Sequence, residues 1–408
     1  MVRDPLPNAR SAGHANGRRA LFLATLAFTT CFYAWALLGP LSPELQQRLG
    51  LSEVQVGWMV AIPVVMGSLM RIPMGVLTDR LGARRVFPVL MLFSALPLAA
   101  LAVWHDGFWP LVAFGFLLGV AGSSFAVGVP FVSRWYAGLG QGGALGIYGM
   151  GMGGTVLAAL TAPSIAGRLG LGAPFALSAV LVALVGIVFG LAAREAPNAA
   201  PASRDPLAPL RILRHEPRAW ALTLFYFLAF GGFVAMFLYL PRLLVGVYDL
   251  DKTDAAARAA GFALLAVLAR PLGGWIADRV GAVPVLLVSF AGSAILAAAL
   301  TGFYTQFGAL TAACLSLAVA FGLGTGAVFK MVGEEFPNSV GAVTGVVGAA
   351  GGLGGFFPPI AMAAVRTSTG SYALGFLLLA ATAVVCLAIL VLMGSPRTGQ
   401  RPLTVRGR

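Results

Sequence analysis

Two arginines stand where charge is expensive. Arg71, in "MRIPMGVLTDRLGAR", lies eight residues before Asp79 inside an otherwise apolar run. A helical rise of 1.5 Å per residue puts it ~12 Å inside the helix end, near mid-depth of a hydrocarbon core ~30 Å thick. Arg270 stands in the same relation to Asp278 in "RPLGGWIADRVGA". All 14 carboxylates fall in loops, tails or helix ends, and His14, His105 and His215 also lie outside the apolar runs. A guanidinium stays protonated, and a charge at that depth costs several kcal/mol. Two permanent cations without a fixed counter-charge at their depth require a mobile one, an anion that enters, is held and leaves. The planar forked donors of arginine suit small planar oxyanions, inorganic or carboxylate. The alternative is that each arginine bonds helix carbonyls or snorkels.

The elements that must position these groups are membrane helices. The chain has 408 residues, 59% hydrophobic and 10% charged, where a soluble domain carries about 25% charged residues. A span needs ~20 mostly apolar residues. Twelve are predicted, at 20–41, 54–78, 86–104, 108–133, 142–166, 172–193, 218–245, 255–277, 282–303, 305–330, 339–365 and 371–393. The expected class is an all-α integral membrane protein of two six-helix halves. Its parts are an N-tail (1–19), an N-terminal half (20–193), a polar Pro/Ala/Arg-rich linker (194–217), a C-terminal half (218–393) and a C-tail (394–408). The first 19 residues are polar and basic and lead straight into a full-length span, so no cleaved signal is expected. Cys31, Cys314 and Cys386 lie in separate apolar runs; no disulfide or metal spacing is present. No cofactor is implied. No nucleophile–base pair lies at membrane depth, which argues against an enzyme.

The net charge of +13 is dispersed through short loops and does not indicate a nucleic-acid partner. It reports orientation instead. With the N-terminus inside, 19 Lys and Arg fall on the cytoplasmic side and 6 outside, so both termini are expected in the cytoplasm of a prokaryotic inner membrane.

The two arginine motifs belong to an internal repeat. Arg71, Gly75, Asp79, Arg80, Gly82 and Ala83 match Arg270, Gly274, Asp278, Arg279, Gly281 and Ala282, every pair 199 residues apart. At the same offset, Gly142, Gly146, Gly149 and Gly153 match Gly341, Gly345, Gly348 and Gly352. Two gapless sets in register indicate a duplicated half, and parallel halves place a substrate site at their interface near the midplane. "GVLTDRLGARR" resembles the loop-2–3 motif of the major facilitator superfamily. Within it, "GSSFAVGVPFVSRWY", "GIYGMGMGGT" and "GAVFKMVGEEFPNSVGAVTGVVGAAGGLGGFFPP" resemble the nitrate/nitrite porter family.

That resemblance implies a monomeric carrier of nitrate and/or nitrite, gripped by Arg71 and Arg270, with Phe125 stacked on the flat anion. It also makes Asp79 and Asp278, with Arg80, Arg84 and Arg279, a cytoplasmic latch between the halves; a solvated charged loop is the plainer reading. Porters of this family commonly have Asn where this chain has Met152. Ser124 is a small candidate donor, and span 7 supplies a facing wall through Phe230, Phe233 or Met236. The glycines of spans 5 and 11, among them Gly149, Gly153, Gly348 and Gly352, allow close helix approach, and Lys330 reads as a snorkelling anchor. Proton-coupled carriers usually relay protons through intramembrane Asp, Glu or His. Their absence favours anion exchange over proton-coupled uptake of nitrate or of another small monovalent anion such as cyanate or a short carboxylate.

Overall fold

The computed structural model describes residues 7–137, 140–197 and 216–394. Most of the expected linker and both tail ends lie outside the described residues. Eleven helices are long and apolar enough to cross a bilayer. The remaining expected span is the 30-residue helix Val340–Thr369. The protein is therefore the all-helical membrane fold that the hydropathy pattern requires.

Several spans differ from their sequence outlines for identifiable reasons. The first helix begins at Pro7, inside the expected tail, and runs to Ala36 before resuming at Leu38–Leu49. Pro40 has no amide to donate to the Ala36 carbonyl, which accounts for the break beside it. Span 2 is the helix Glu53–Leu81, opened by a reciprocal capping box between Ser52 and Gln55. Span 4 runs from Phe108 to Trp135 through a 3₁₀ turn at Gly119–Ser123, and span 5 from Gln141 to Leu169 through another at Met150–Gly153. Span 7, Pro217–Tyr248, carries a π-helical turn at Phe227–Gly231. Span 8 is the helix Lys252–Val280 and span 10 the helix Phe307–Glu335.

The repeat governs how the halves meet. Span 2 packs along span 11 (Val340–Thr369), and span 8 packs along span 5. Backbones approach so closely there that a Cβ on Gly75 would lie 2.0 Å from the Gly341 carbonyl oxygen. One on Gly274 would lie 1.9 Å from the Gly142 carbonyl oxygen. The matched glycines of the two motifs are thus each other's contact surface across the interface. Gly82 and Gly281, which end spans 2 and 8, have φ of 78° and 89°, a region open to glycine and strained for other residues.

Candidate functional site

Arg71 and Arg270 are 3% and 4% exposed. Each reaches across the interface to the other half. Arg71, on span 2, donates through Nη1 to the Gly348 carbonyl of span 11, and through Nε to the Gly122 carbonyl at 3.2 Å. Gly122 lies in the 3₁₀ turn of span 4, beside Trp35, whose indole donates to the Pro63 carbonyl at 3.1 Å. Arg270, on span 8, donates through Nη1 to the Gly149 carbonyl of span 5 at 3.3 Å. Gly149 and Gly348 are themselves a 199-residue pair, so the arrangement is a crossed, two-fold one. The Tyr226 side chain lies beside Arg270.

Carbonyl bonding, the alternative weighed for these side chains, is therefore present. It supplies neutral dipoles and no negative charge. Among the described residues, no carboxylate pairs with either arginine. Both guanidiniums instead lie over one ring: Arg71 Cζ is 5.7 Å and Arg270 Cζ 5.4 Å from the Phe230 centroid. Arg270 is also 5.9 Å from the Phe233 centroid. Span 7 thus offers Phe230 and Phe233 to the arginines. Met236 is buried in the same span, with no contact to either arginine among those described.

An aromatic cluster surrounds the pair. Phe125 is parallel to Tyr226 within 9°, centroids 6.2 Å apart, and Tyr226 stacks on Phe230 at 5.1 Å and 1°. Phe329 stands edge-on to both Phe125 and Tyr226 at 4.7 Å. A Cβ added to Gly348 would touch Arg71 Cδ at 3.1 Å and Phe125 Cδ1 at 3.8 Å, so Phe125, Gly348 and Arg71 are direct neighbours. Gly352 has no room for a side chain, since its Cβ would fall 2.1 Å from Ser68 Oγ and 3.3 Å from Arg71 Nη1. Gly153 faces open space. The Ser124 hydroxyl is buried and finds only the Cys31 thiol beside it, not an arginine. Neither Tyr226 nor Phe329 is singled out by the sequence: an aromatic in a membrane helix is usually packing, and neither belongs to the duplicated motifs, although Phe329 lies in the family-like stretch that starts "GAVFKMVG".

At the Asp79/Asp278 end the same crossing recurs. Asp79 accepts from the backbone amides of Gly341 and Ala342 at 3.1 and 2.9 Å. Asp278 accepts from those of Gly142 and Gly143 at 2.8 and 2.7 Å. Each carboxylate thus sits on the N-terminus of a helix from the opposite half, where the helix dipole favours negative charge. A cation of its own half completes each: Arg134 Nη2 is 2.8 Å from Asp79 and Lys330 Nζ is 2.9 Å from Asp278. Lys330, which also pairs with Glu334 at 3.0 Å, is an ion-pair partner here, not the free snorkelling anchor expected.

Three expected latch arginines do not join across the halves. The Arg84 side chain donates to the Gly190 carbonyl of its own half at 3.4 Å. Arg279 lies on the Trp275 ring one turn back, 3.7 Å from its centroid. Arg80 makes no ion pair among the described residues. Arg80 and Arg279 directly follow the aspartates on the helices Glu53–Leu81 and Lys252–Val280, and a step of one residue turns a helical side chain by about 100°, away from the interface that the aspartates face. Every described hydrogen bond between the halves lies either at the arginine level or at this end.

Comparison with known proteins agrees with this geometry. The family model of the Major Facilitator Superfamily matches residues 24–357 and 247–407. The chain is 43% identical to a probable nitrate/nitrite transporter NarK2 of Mycobacterium tuberculosis over 90% of this chain and 93% of that one. It is 35% identical to the nitrite extrusion protein of Bacillus subtilis over 91% and 93%. It is 34% identical to a probable nitrate transporter NarT of Staphylococcus epidermidis over 92% and 96%. Among solved structures, the human organic anion transporter MFSD10 superposes with a TM-score of 0.76 at 18% identity, covering 92% of this chain and 99% of that one. The proton:xylose symporter XylE gives 0.75 at 15% identity, covering 93% and 96%; at such identities the likeness is one of fold. Family model, relatives and fold converge, and the chain belongs to the Major Facilitator Superfamily.

Proposed function

We propose that this protein exchanges nitrate and nitrite across a prokaryotic plasma membrane by alternating access, as a monomer with both termini in the cytoplasm. One observation carries the reading: two buried, symmetry-related arginines from opposite halves converge on the Phe230 ring, and among the described residues no carboxylate balances them. An oxyanion between them supplies the missing charge and accepts the guanidinium hydrogens that the carbonyls leave over. Phe125, Tyr226 and Phe329 give the anion flat apolar walls. Gly149, Gly348 and Gly352 let helices and arginines close on the chamber, while Ser124, Met236 and Gly153 belong to the spans around it without a described contact to either arginine. Asp79 and Asp278, each capping a helix of the other half, are the latch that holds the cytoplasmic side shut while the outer side admits anion. Arg80, Arg84 and Arg279 stand at the rim of that latch and leave the joining of the halves to the aspartates.

Exchange follows from the charge balance. An empty site leaves two cations facing each other in a low-dielectric interior, where like charges repel strongly. The loaded site is neutralised in part and can reorient. Among the described residues, no Asp, Glu or His stands at the arginines' depth to relay a proton. Counterflow in proteoliposomes tests this. Vesicles preloaded with nitrite should drive nitrate uptake without a pH gradient. Uptake that requires the gradient would overturn exchange in favour of proton coupling.

A further inference from the structure

The residue just before Gly149 does more than fill the core. We infer that Tyr148 is a positioning residue for the anion site, one that sets the plane of Phe125 and the height of the carbonyl that Arg270 grips; this rests on the transport reading above. Tyr148 is fully buried. Its hydroxyl donates to the Ser124 carbonyl at 2.9 Å, and Ser124 immediately precedes Phe125. Its ring stacks on Phe125 at 5.9 Å and on Phe28 at 4.8 Å, each tilted by 24°. A stack plus a bond to the adjacent backbone leaves the Phe125 ring little freedom to turn.

The seat for this phenol is built into span 4. A Cβ on Gly128 would fall 2.2 Å from both Cζ and the hydroxyl oxygen of Tyr148. Only glycine at 128 lets the phenol lie against the turn that begins at Ser124. That turn follows directly on the 3₁₀ segment whose Gly122 carbonyl holds Arg71. Tyr148 therefore ties together the Phe125 wall, the turn next to the Arg71 acceptor, and Gly149, the Arg270 acceptor. Its counterpart at the 199-residue offset is Val347, which has no hydroxyl to do the same, so this support exists in the N-terminal half alone.

The role predicts selectivity, not mere stability. Flat walls held parallel favour a planar trigonal anion over a pyramidal one of equal charge. The experiment measures nitrate counterflow in proteoliposomes, with chlorate as the competing pyramidal anion, for the wild type, Tyr148→Leu and Tyr148→Phe. Tyr148→Leu should raise the half-saturating nitrate concentration on the order of tenfold and leave chlorate inhibition nearly unchanged. Tyr148→Phe keeps the ring and should recover most of the preference. In a Phe125→Leu background, Tyr148→Leu should add no further loss of preference, because it acts through that ring. Should Tyr148→Leu fail to assemble, Tyr148→Phe alone decides, with a smaller loss confined to nitrate. An unchanged nitrate-to-chlorate ratio with active wild-type carrier would overturn the inference and leave the transport reading intact. Absence of wild-type counterflow would overturn both.

Discussion

Arg71 and Arg270, from opposite halves of the fold, bring their guanidinium carbons to 5.7 and 5.4 Å from the centroid of one ring, that of Phe230. Cation–π attraction contributes about 0.5–2 kcal/mol per contact. That is less than the several kcal/mol a lone charge costs at this depth, so the ring and the carbonyls soften the penalty without cancelling it. On the proposed function, the remainder is what an anion relieves.

Replacing either arginine by lysine keeps the charge and removes the fork. Lysine cannot bond the Gly122 and Gly348 carbonyls together and still present a donor pair to an anion. Arg71→Lys and Arg270→Lys should each lower nitrate counterflow by about 100-fold at normal protein yield. Equal flux per molecule of purified carrier would reject the grip assigned to them.

The crossed aspartates should weaken the closed cytoplasmic side independently. Asp79→Asn and Asp278→Asn each remove a charge from a helix N-terminus of the opposite half, worth up to about 2 kcal/mol. Spin-label distances across that face should shift toward the open form in each variant, and further in the double variant. Arg84→Ala and Arg279→Ala, whose contacts stay within their own half, should leave the distances within experimental scatter.

Backbone contact at the glycine pairs makes a sharper test of closure. A Cβ on Gly75 meets the Gly341 carbonyl oxygen at 2.0 Å, a clash that only separation of spans 2 and 11 relieves. Gly75→Val should block transport while the protein still inserts. A cysteine at Ser339, which is 7% exposed, should then be labelled faster from the cytoplasmic side than in the same reporter protein with Gly75 intact. Unaltered labelling would place the closing contact elsewhere.

Hydropathy and the strict 199-residue offset made the spans, the paired arginines and the paired aspartates readable before any coordinates. What the offset concealed were places where the halves have diverged. Arg134 falls on Gly333 by that offset, yet Lys330 supplies the matching cation one helical turn earlier. A turn of slippage preserves the helix face, so charge is conserved in space while register is lost in sequence. Gly333 instead leaves the gap filled by Gln141, whose amide lies 2.8 Å from the position of a Cβ there. The choice of Phe230 and Phe233 over Met236, and the part played by Tyr226, depend on how the π turn at Phe227–Gly231 rotates span 7. Such turns leave no periodicity signal.

The most direct test is the melting temperature of purified carrier with and without nitrate. A ligand at about 100 times its dissociation constant stabilises the fold by about 2.7 kcal/mol, so the wild type should melt several degrees higher in nitrate. Arg270→Gln should melt higher than the wild type in the absence of anion, its repulsion with Arg71 gone, and gain nothing from nitrate. If Arg270→Gln melts lower without anion and is stabilised by nitrate as fully as the wild type, a guest anion is not what balances these cations.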